Sequence, residues 1–282
     1  MRTFSHPGYK RFLLSVGCLL SIHFTALFFL TLFRLVFFFS ANYDFPDQEH
    51  VGFMSIWPAF IRGVWFDNVI ACYILLIPLV AVSISALFNY YGKILWNVTC
   101  IFFSLFYGIV LLVTAANIPY FQYFFKIINS SVFNWFGYMN TTAGMVFGET
   151  SYYPPLIGFL LTLVLFIWLM RRLIRHFQRL LNTKNPSVFW LDRIYIFLTA
   201  GICIGLCLFG IRGRTGYNPI KVSAAYYCTD PFLNQLGISP VFNLLSSTLD
   251  DSRKENRYLH LMPENEALEN TRHYLGIFSK CP

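Results

Sequence analysis

The sequence predicts an all-α, polytopic membrane protein with five transmembrane helices, interfacial helices and an outer C-terminal helical linker. Of its 282 residues, 56% are hydrophobic, 20% aromatic and 12% charged, whereas a soluble globular domain averages roughly 25% charged residues. The interior of a folded chain of 282 residues cannot hide 32 Phe, 17 Tyr and 6 Trp from water. Lipid must be the main solvent, which excludes an ordinary water-soluble enzyme.

Five apolar runs have, or nearly have, the roughly 20 residues that a helix needs to cross a bilayer. They are residues 12–40, 69–88, 95–117, 155–170 and 194–210. The first follows basic residues, as a signal peptide would, but its 29 residues far exceed the roughly 7–15 of a cleaved apolar region. We therefore expect it to remain as an anchor. The fourth run is short, and we expect its helix to begin at Tyr152 or Tyr153.

The distribution of Lys and Arg beside these runs predicts the orientation. Ten lie at the N-terminus and in the connections after the second and fourth runs, whereas the other two connections hold one each, Arg62 and Lys126. The N-terminus is then cytoplasmic. Because the number of spans is odd, the chain after the fifth run lies outside. We divide the chain into a transmembrane domain, 1–210, and an extracytoplasmic linker, 211–282.

The connection at 118–154 is dense in aromatic side chains, which favour the depth of lipid headgroups. It therefore predicts interfacial helices, and Lys126 within it is a candidate contact for a lipid headgroup. The alternative is an aromatic belt that only sets the depth of the protein.

Three short helices are predicted in the linker. Asp230-Pro231 and Ser239-Pro240 each place a capping residue before a proline at the first helical position, and Gly237 should end the first helix. Pro263 opens the third, which has acidic residues in its first turn and basic residues in its last. We expect this third helix to lie along the membrane surface or a neighbouring domain, because it has few apolar positions.

Arg34 is the one charge well inside a long apolar run, where an unpaired cation is costly. His23 is 11 residues earlier and shares its helix face, and Asp67 stands at the outer start of the second run. We predict an Arg34–Asp67 contact near the outer face, with His23 deeper on the same face. The alternative is that Arg34 reaches lipid phosphate alone and His23 is an interior polar group with a hydrogen-bond partner.

Arg212 and Arg214 follow the fifth run in the sequence G-I-R-G-R-T-G at 210–216. Glycines permit close backbone approach, and guanidinium groups suit phosphate. The spacing is not a nucleotide-binding fingerprint. A flexible exit from the membrane whose arginines touch lipid phosphates is the alternative to a dedicated site.

The sequence lacks H-E-x-x-H, G-x-S-x-G and Walker A motifs and has no nucleic-acid signature. Cys203 and Cys207 share a helix face, but two thiols make a poor metal site. Cys228 and Cys281 share the outer side and could pair. We therefore predict no catalytic residue, no metal site and no nucleic-acid partner for this chain.

Four segments carry a family resemblance. They are F-R-L-V-F-F-F at 33–39, R-G-V-W-F-D at 62–67, N-I-P-Y-F at 117–121, and an outer stretch from Y-N-P at 217–219 through Asn234 to S-P-V-F-N-L-L at 239–245. Together they resemble the membrane-embedded N-terminal part of the lipoteichoic acid synthase-like family. Its members are often labelled sulfatases, since they carry an alkaline-phosphatase-superfamily domain outside the membrane. The resemblance covers nearly the whole chain.

The resemblance implies five transmembrane helices, a linker with interfacial helices and an external catalytic domain. It also implies transfer of a phosphoglycerol- or phosphoethanolamine-type group from a phospholipid, with a Thr nucleophile and a divalent metal such as manganese. Those catalytic residues belong to the external domain, and no position of this chain matches them. The chain also has Asn117 where the family usually has an acidic residue after the third span.

The chain is then expected to be a fragment or truncated product that anchors the catalytic domain in a bacterial cell (inner) membrane and presents lipid headgroups to it, inactive without that domain. Its partners would be membrane phospholipids and a C-terminal or separate extracytoplasmic catalytic domain. The candidate contacts with headgroups or with that domain are Arg34, Asp67, Arg212, Arg214 and Lys126. A stand-alone scaffold subunit and a small transporter are the alternatives.

Overall fold

The structure is a computed structural model that describes residues 7–41, 53–138, 144, 148, 150–181, 190–253 and 262–275. These residues form helices and no strand. Five helices are long and apolar enough to cross a membrane: α1 (Pro7–Ser40), α2 (Phe53–Leu87), α3 (Lys93–Phe124), α4 (Tyr153–Leu181) and α5 (Trp190–Arg212). The prediction of an all-α, multi-pass membrane protein is confirmed.

The helices extend beyond the apolar runs that predicted them. Helix α4 begins at Tyr153, as expected. Helix α2 differs most: it begins at Phe53, 16 residues before the predicted run, so Asp67 lies inside the helix and not at its start. At 1.5 Å per residue its 35 residues span about 52 Å, well over the ~30 Å of hydrocarbon. Hydropathy marks the apolar part of a helix, whereas backbone hydrogen bonding continues past it.

Helix α1 is the centre of the bundle and contacts the other four long helices. Around it α2 packs against α5, and α3 packs against α4. Rings fill the middle, where buried Phe166 of α4 lies 6.1 Å from Phe29 of α1 and 5.3 Å from Tyr107 of α3 between ring centroids. Burial of these apolar side chains holds the helices in place.

The two ends of the bundle differ in charge and covering. One end, here called the basic end, holds the start of α1 and the last turns of α4, with Arg171, Arg172, Arg175 and Arg179. The opposite end, here called the capped end, is covered by residues 213–253, which we name the cap.

The cap contains a 3-10 helix, Val222–Ala225, and two α-helices, α6 (Pro231–Leu236) and α7 (Pro240–Ser252). Both begin at the predicted prolines. The Asp230 carboxylate accepts a hydrogen bond from the Leu233 amide at 2.8 Å, and α6 ends at Gly237. Helix α6 packs on α1 and α2, and α7 packs on α2 and α3.

Two further predictions concern the third linker helix and the aromatic connection. The third linker helix, α8 (Glu264–Tyr274), follows Pro263 as predicted and buries no residue. In the aromatic connection, residues 118–124 belong to α3, and 3-10 helices occupy Ser130–Tyr138 and Thr150–Tyr152. The first of these 3-10 helices packs against α7, so the connection meets the cap.

Candidate functional site

The predicted Arg34–Asp67 contact is confirmed. Arg34 Nη2 donates to Asp67 Oδ2 at 2.5 Å, and the two side chains are only 4% and 3% exposed. A buried charge is tolerated when an opposite charge and further hydrogen bonds compensate it. The pair therefore joins α1 and α2 in the interior.

Arg34 also binds the cap. Its Nη1 donates to the backbone carbonyl of Leu236 at 2.6 Å and lies 3.5 Å from that of Ile238. The Leu236 carbonyl belongs to the last residue of α6 and the Ile238 carbonyl lies just beyond it, at the end where a helix has free acceptors and a partial negative charge. One buried guanidinium thus connects α1, α2 and the cap.

Gly63 of α2 makes room for this guanidinium. A Cβ atom at position 63 would lie 2.0 Å from Arg34 Nη1 and 2.1 Å from Arg34 Cζ. Any side chain there would occupy the space of the charged group, so a glycine is required by close approach.

His23 is buried on the same face of α1, and its Nε2 lies 3.0 Å from Asn68 Oδ1. The structure thus supports the alternative in which His23 is an interior polar group with a partner. Sequence reasoning missed Asn68, although its position beside Asp67 on an apolar helix was a usable signal. The adjacent residues Asp67 and Asn68 of α2 therefore bind Arg34 and His23 of α1, respectively.

Other polar contacts fasten the cap to the first half of α2. Arg62 donates to the Ala224 carbonyl at 3.3 Å and stacks 4.4 Å above the ring of Tyr227. Trp65 Nε1 donates to the Gly213 carbonyl at 2.5 Å, and the Tyr227 hydroxyl donates to the Ser55 carbonyl at 2.6 Å. Burial raises the pKa of Tyr227 above its ordinary value, so the hydroxyl remains a donor.

Phe232 of α6 is the apolar anchor of the cap. It is buried, and its ring centroid lies 5.8 Å from that of Phe37, 6.2 Å from that of Phe38 and 5.6 Å from that of Phe121. Nearby, the Phe242 ring of α7 lies 4.8 Å from that of Phe66. Such pairs add stabilisation beyond the area they bury.

The segment after α3 is fixed by amide side chains. Asn117 Oδ1 accepts from the Ile128 amide at 3.0 Å, and Asn243 of α7 donates to the Ile128 carbonyl at 2.9 Å. Gln235 of α6 accepts from the Ile127 amide at 3.2 Å. Asn117 thus has a structural role at the position where the family resemblance predicts an acid. Sequence reasoning singled out Asn117 but predicted no partner for it, and it missed Gln235 and the role of Asn243.

The remaining predicted cations lie apart from the Arg34–Asp67 pair. Arg212 donates to the carbonyls of Gly216 and Tyr217 at 2.5 and 2.7 Å, and Arg214 donates to that of Asn218 at 2.7 Å. Both stabilise their own loop at the surface. Lys126 is exposed between α3 and the 3-10 helix Ser130–Tyr138.

A cavity of about 480 Å³ opens between α3, this 3-10 helix and α4. Its lining is apolar and aromatic and includes Tyr120, Tyr123, Trp135 and Tyr152. None of its lining residues is charged. The chemistry of this cavity suits an apolar ligand with one polar end.

The described ranges contain no group of three His, Cys, Asp or Glu side chains that could hold a metal ion. Cys207 lies 3.3 Å from the Cys72 carbonyl. Cys281 lies outside the described residues, so the proposed Cys228–Cys281 pairing stays a prediction. Comparisons of the chain with protein-family models, curated proteins and solved structures find no match.

Proposed function

We propose that the chain is the membrane module of a phospholipid headgroup transferase of the lipoteichoic acid synthase-like kind. It spans a bacterial cell membrane with its N-terminus in the cytoplasm and its capped end outside. There it holds a catalytic domain against the outer leaflet and presents headgroups for transfer of a phosphoglycerol- or phosphoethanolamine-type group.

The buried contact of Arg34 with both Asp67 and the Leu236 carbonyl carries this proposal. A linker that only tethered a catalytic domain would not need to bind a buried charged side chain of the bundle. Because the cap is fastened inside the bundle, whatever it bears is held at a fixed height above the membrane. The cap is thus suited to position a second domain.

A small transporter is less well supported. Transport through the bundle needs interior polar groups that are free to meet a substrate. In the described residues Arg34 and Asp67 bind each other, and His23 binds Asn68.

The metal implied by the proposed family has no ligand set in the described part of the chain. A manganese ion would be held by the catalytic domain, and we assign no chemical step to residues of this chain. The role of the module is binding and positioning.

Two experiments test the proposal. Sequencing the DNA beyond the Pro282 codon should reveal a reading frame for an extracytoplasmic metal-dependent domain, whereas a stop codon followed by unrelated genes would favour the scaffold. Joined to that domain, the protein should transfer headgroups from phosphatidylglycerol or phosphatidylethanolamine in liposomes with manganese. Measurable transfer or sulfatase turnover by the chain alone would contradict the proposal.

A further inference from the structure

The cavity at the capped end has the shape of a chain-binding site. Consecutive small residues of α3, Ala115 and Ala116, and Pro119 one turn later leave space that larger side chains would fill. Pro155 and Phe159 of α4 form the opposite wall. The volume of about 480 Å³ lies within the roughly 300–1,000 Å³ of ligand pockets.

Amphipathic rings surround this apolar space. Tyr123 stacks on Tyr152 with a centroid distance of 6.4 Å, and Tyr120 lies 5.8 Å from Trp135. The Tyr120 hydroxyl donates to Asn129 Oδ1 at 3.3 Å. Tyr and Trp place an apolar body in lipid and a polar tip at the headgroups, so the surround matches a lipid that lies partly in the interface.

A single cation stands in the segment between two lining residues. Lys126 is exposed and lies between Phe124 and Ile128, both of which line the cavity. Asn117 and Gln235 hold the backbone at Ile127 and Ile128, next to the point where the Lys126 side chain leaves the chain. An apolar cavity with a lysine in the segment that joins two of its lining residues complements a molecule that has a hydrocarbon chain and a phosphate.

We infer that this cavity binds an anionic phospholipid, with one acyl chain between α3 and α4 and its phosphate at Lys126. The inference rests on the proposed function and names the place where a lipid is held. Tyr153 and Ile157 of α4 are exposed, and Leu112 of α3 is exposed while it lines the cavity. A lipid can therefore enter sideways from the leaflet without crossing water.

Native mass spectrometry of the purified full chain tests this inference, with phosphatidylglycerol, phosphatidylcholine or diacylglycerol added in turn. Wild-type protein should retain one phosphatidylglycerol in preference to the other two. Ala116→Trp, which fills the cavity from its exposed wall, should reduce retention at least about tenfold, as expected when a site of this kind is blocked. Ile101→Trp, at an exposed position of α3 outside the cavity, should retain phosphatidylglycerol like wild type.

The phosphate contact has its own control. Lys126→Ala should weaken phosphatidylglycerol binding roughly fivefold, the effect of one lysine near an anionic headgroup, and leave diacylglycerol unchanged. Lys221→Ala removes an exposed lysine of the cap and should have no effect. Equal loss in both lysine variants, or equal retention of diacylglycerol and phosphatidylglycerol by wild type, would overturn the assignment of Lys126.

Unchanged lipid retention in Ala116→Trp would overturn the site itself. Leu156→Trp, which enters from α4, repeats the test if the first variant does not fold. Headgroup transfer by the joined protein together with unchanged retention would refute this inference alone. If Ala116→Trp loses phosphatidylglycerol and the protein joined to its catalytic domain transfers no headgroup, the lipid site is supported and the proposed function is contradicted.

Discussion

At the scale of single residues, Arg34 joins α1 both to α2 and to the cap. It pairs with Asp67, 33 positions away, and reaches the carbonyl of Leu236, 202 positions away. Removing either member of a buried ion pair leaves an uncompensated charge, which costs about 3–5 kcal/mol. The free energy of unfolding should therefore depend strongly on this one group.

A double-mutant cycle measures the pairing. We expect Arg34→Met and Asp67→Asn each to lower the free energy of unfolding in detergent by about 3–5 kcal/mol. The double variant should lose no more than the worse single variant, because the second change removes the stranded charge. Fully additive losses would show that the two charges do not interact.

The exposed pair Arg253–Asp250 is the matched control. Its atoms are 3.7 Å apart, and its side chains are 67% and 54% exposed. Arg253→Met should change the free energy of unfolding by less than about 1 kcal/mol, as is usual at a surface.

Gly63 gives a second prediction. Gly63→Ala places a methyl group where Arg34 lies, and the guanidinium can yield only by leaving Asp67 or Leu236. We expect a loss of about 1–3 kcal/mol in thermal or denaturant unfolding. Gly201→Ala, in an open part of α5, should instead stabilise by up to about 1 kcal/mol. Equal effects of the two substitutions would contradict the close contact at position 63.

The ion pair could be predicted from sequence because both charges stand out against apolar surroundings. The contact of Arg34 with the cap and the space provided by Gly63 could not be predicted in this way. A carbonyl acceptor at Leu236 has no side-chain signature, and Gly63 is one of 17 glycines in the chain. The contacts of Asn117 and Gln235 were equally unpredictable, since their partners are backbone groups.

At the scale of elements, the cap is a small layer held to the bundle by rings and hydrogen bonds. Phe232 of α6 packs against the rings of Phe37 and Phe38 of α1. Helix α6 has only six residues, too few to be stable as an isolated helix in water. Its fold therefore depends on docking.

Truncating the anchor tests this dependence. Phe232→Ala should cost about 3–5 kcal/mol and increase hydrogen exchange of the α6 and α7 amides, while α1 to α3 remain protected. Tyr226→Ala removes a ring that is 60% exposed and should leave exchange unchanged. Equal protection of α6 in wild type and Phe232→Ala would show that another contact holds the cap.

Elements were predictable where a local signal defines them. Proline after Asp230 or Ser239 marked the starts of α6 and α7, because proline at the first helical position is a local signal. The side chain of Asp230 caps its helix, whereas that of Ser239 makes no capping hydrogen bond. The start of α2 was missed because Trp, Pro, Arg, Asp and Asn within residues 53–68 lower the mean hydropathy without preventing a helix. The order of helices around α1 was not predictable either, since each long helix is apolar on most sides.

At the scale of the whole molecule, the capped and basic ends predict which side faces the cytoplasm. In a variant whose seven native cysteines are replaced, Tyr217→Cys should react with a membrane-impermeant maleimide added to intact cells. Tyr217 is 96% exposed in the cap. Arg179→Cys, exposed at the basic end, should react only after the cells are opened. The reverse pattern would refute the orientation and, with it, the proposed outer position of the cap.

The long reach of Arg34 also has a consequence for biosynthesis. Arg34 and Asp67 are 33 positions apart, so both have been synthesised long before the cap. The carbonyls of Leu236 and Ile238 are synthesised about two hundred residues later. The second bond therefore forms last. A nascent chain arrested before α6 would keep Arg34 without its Leu236 acceptor.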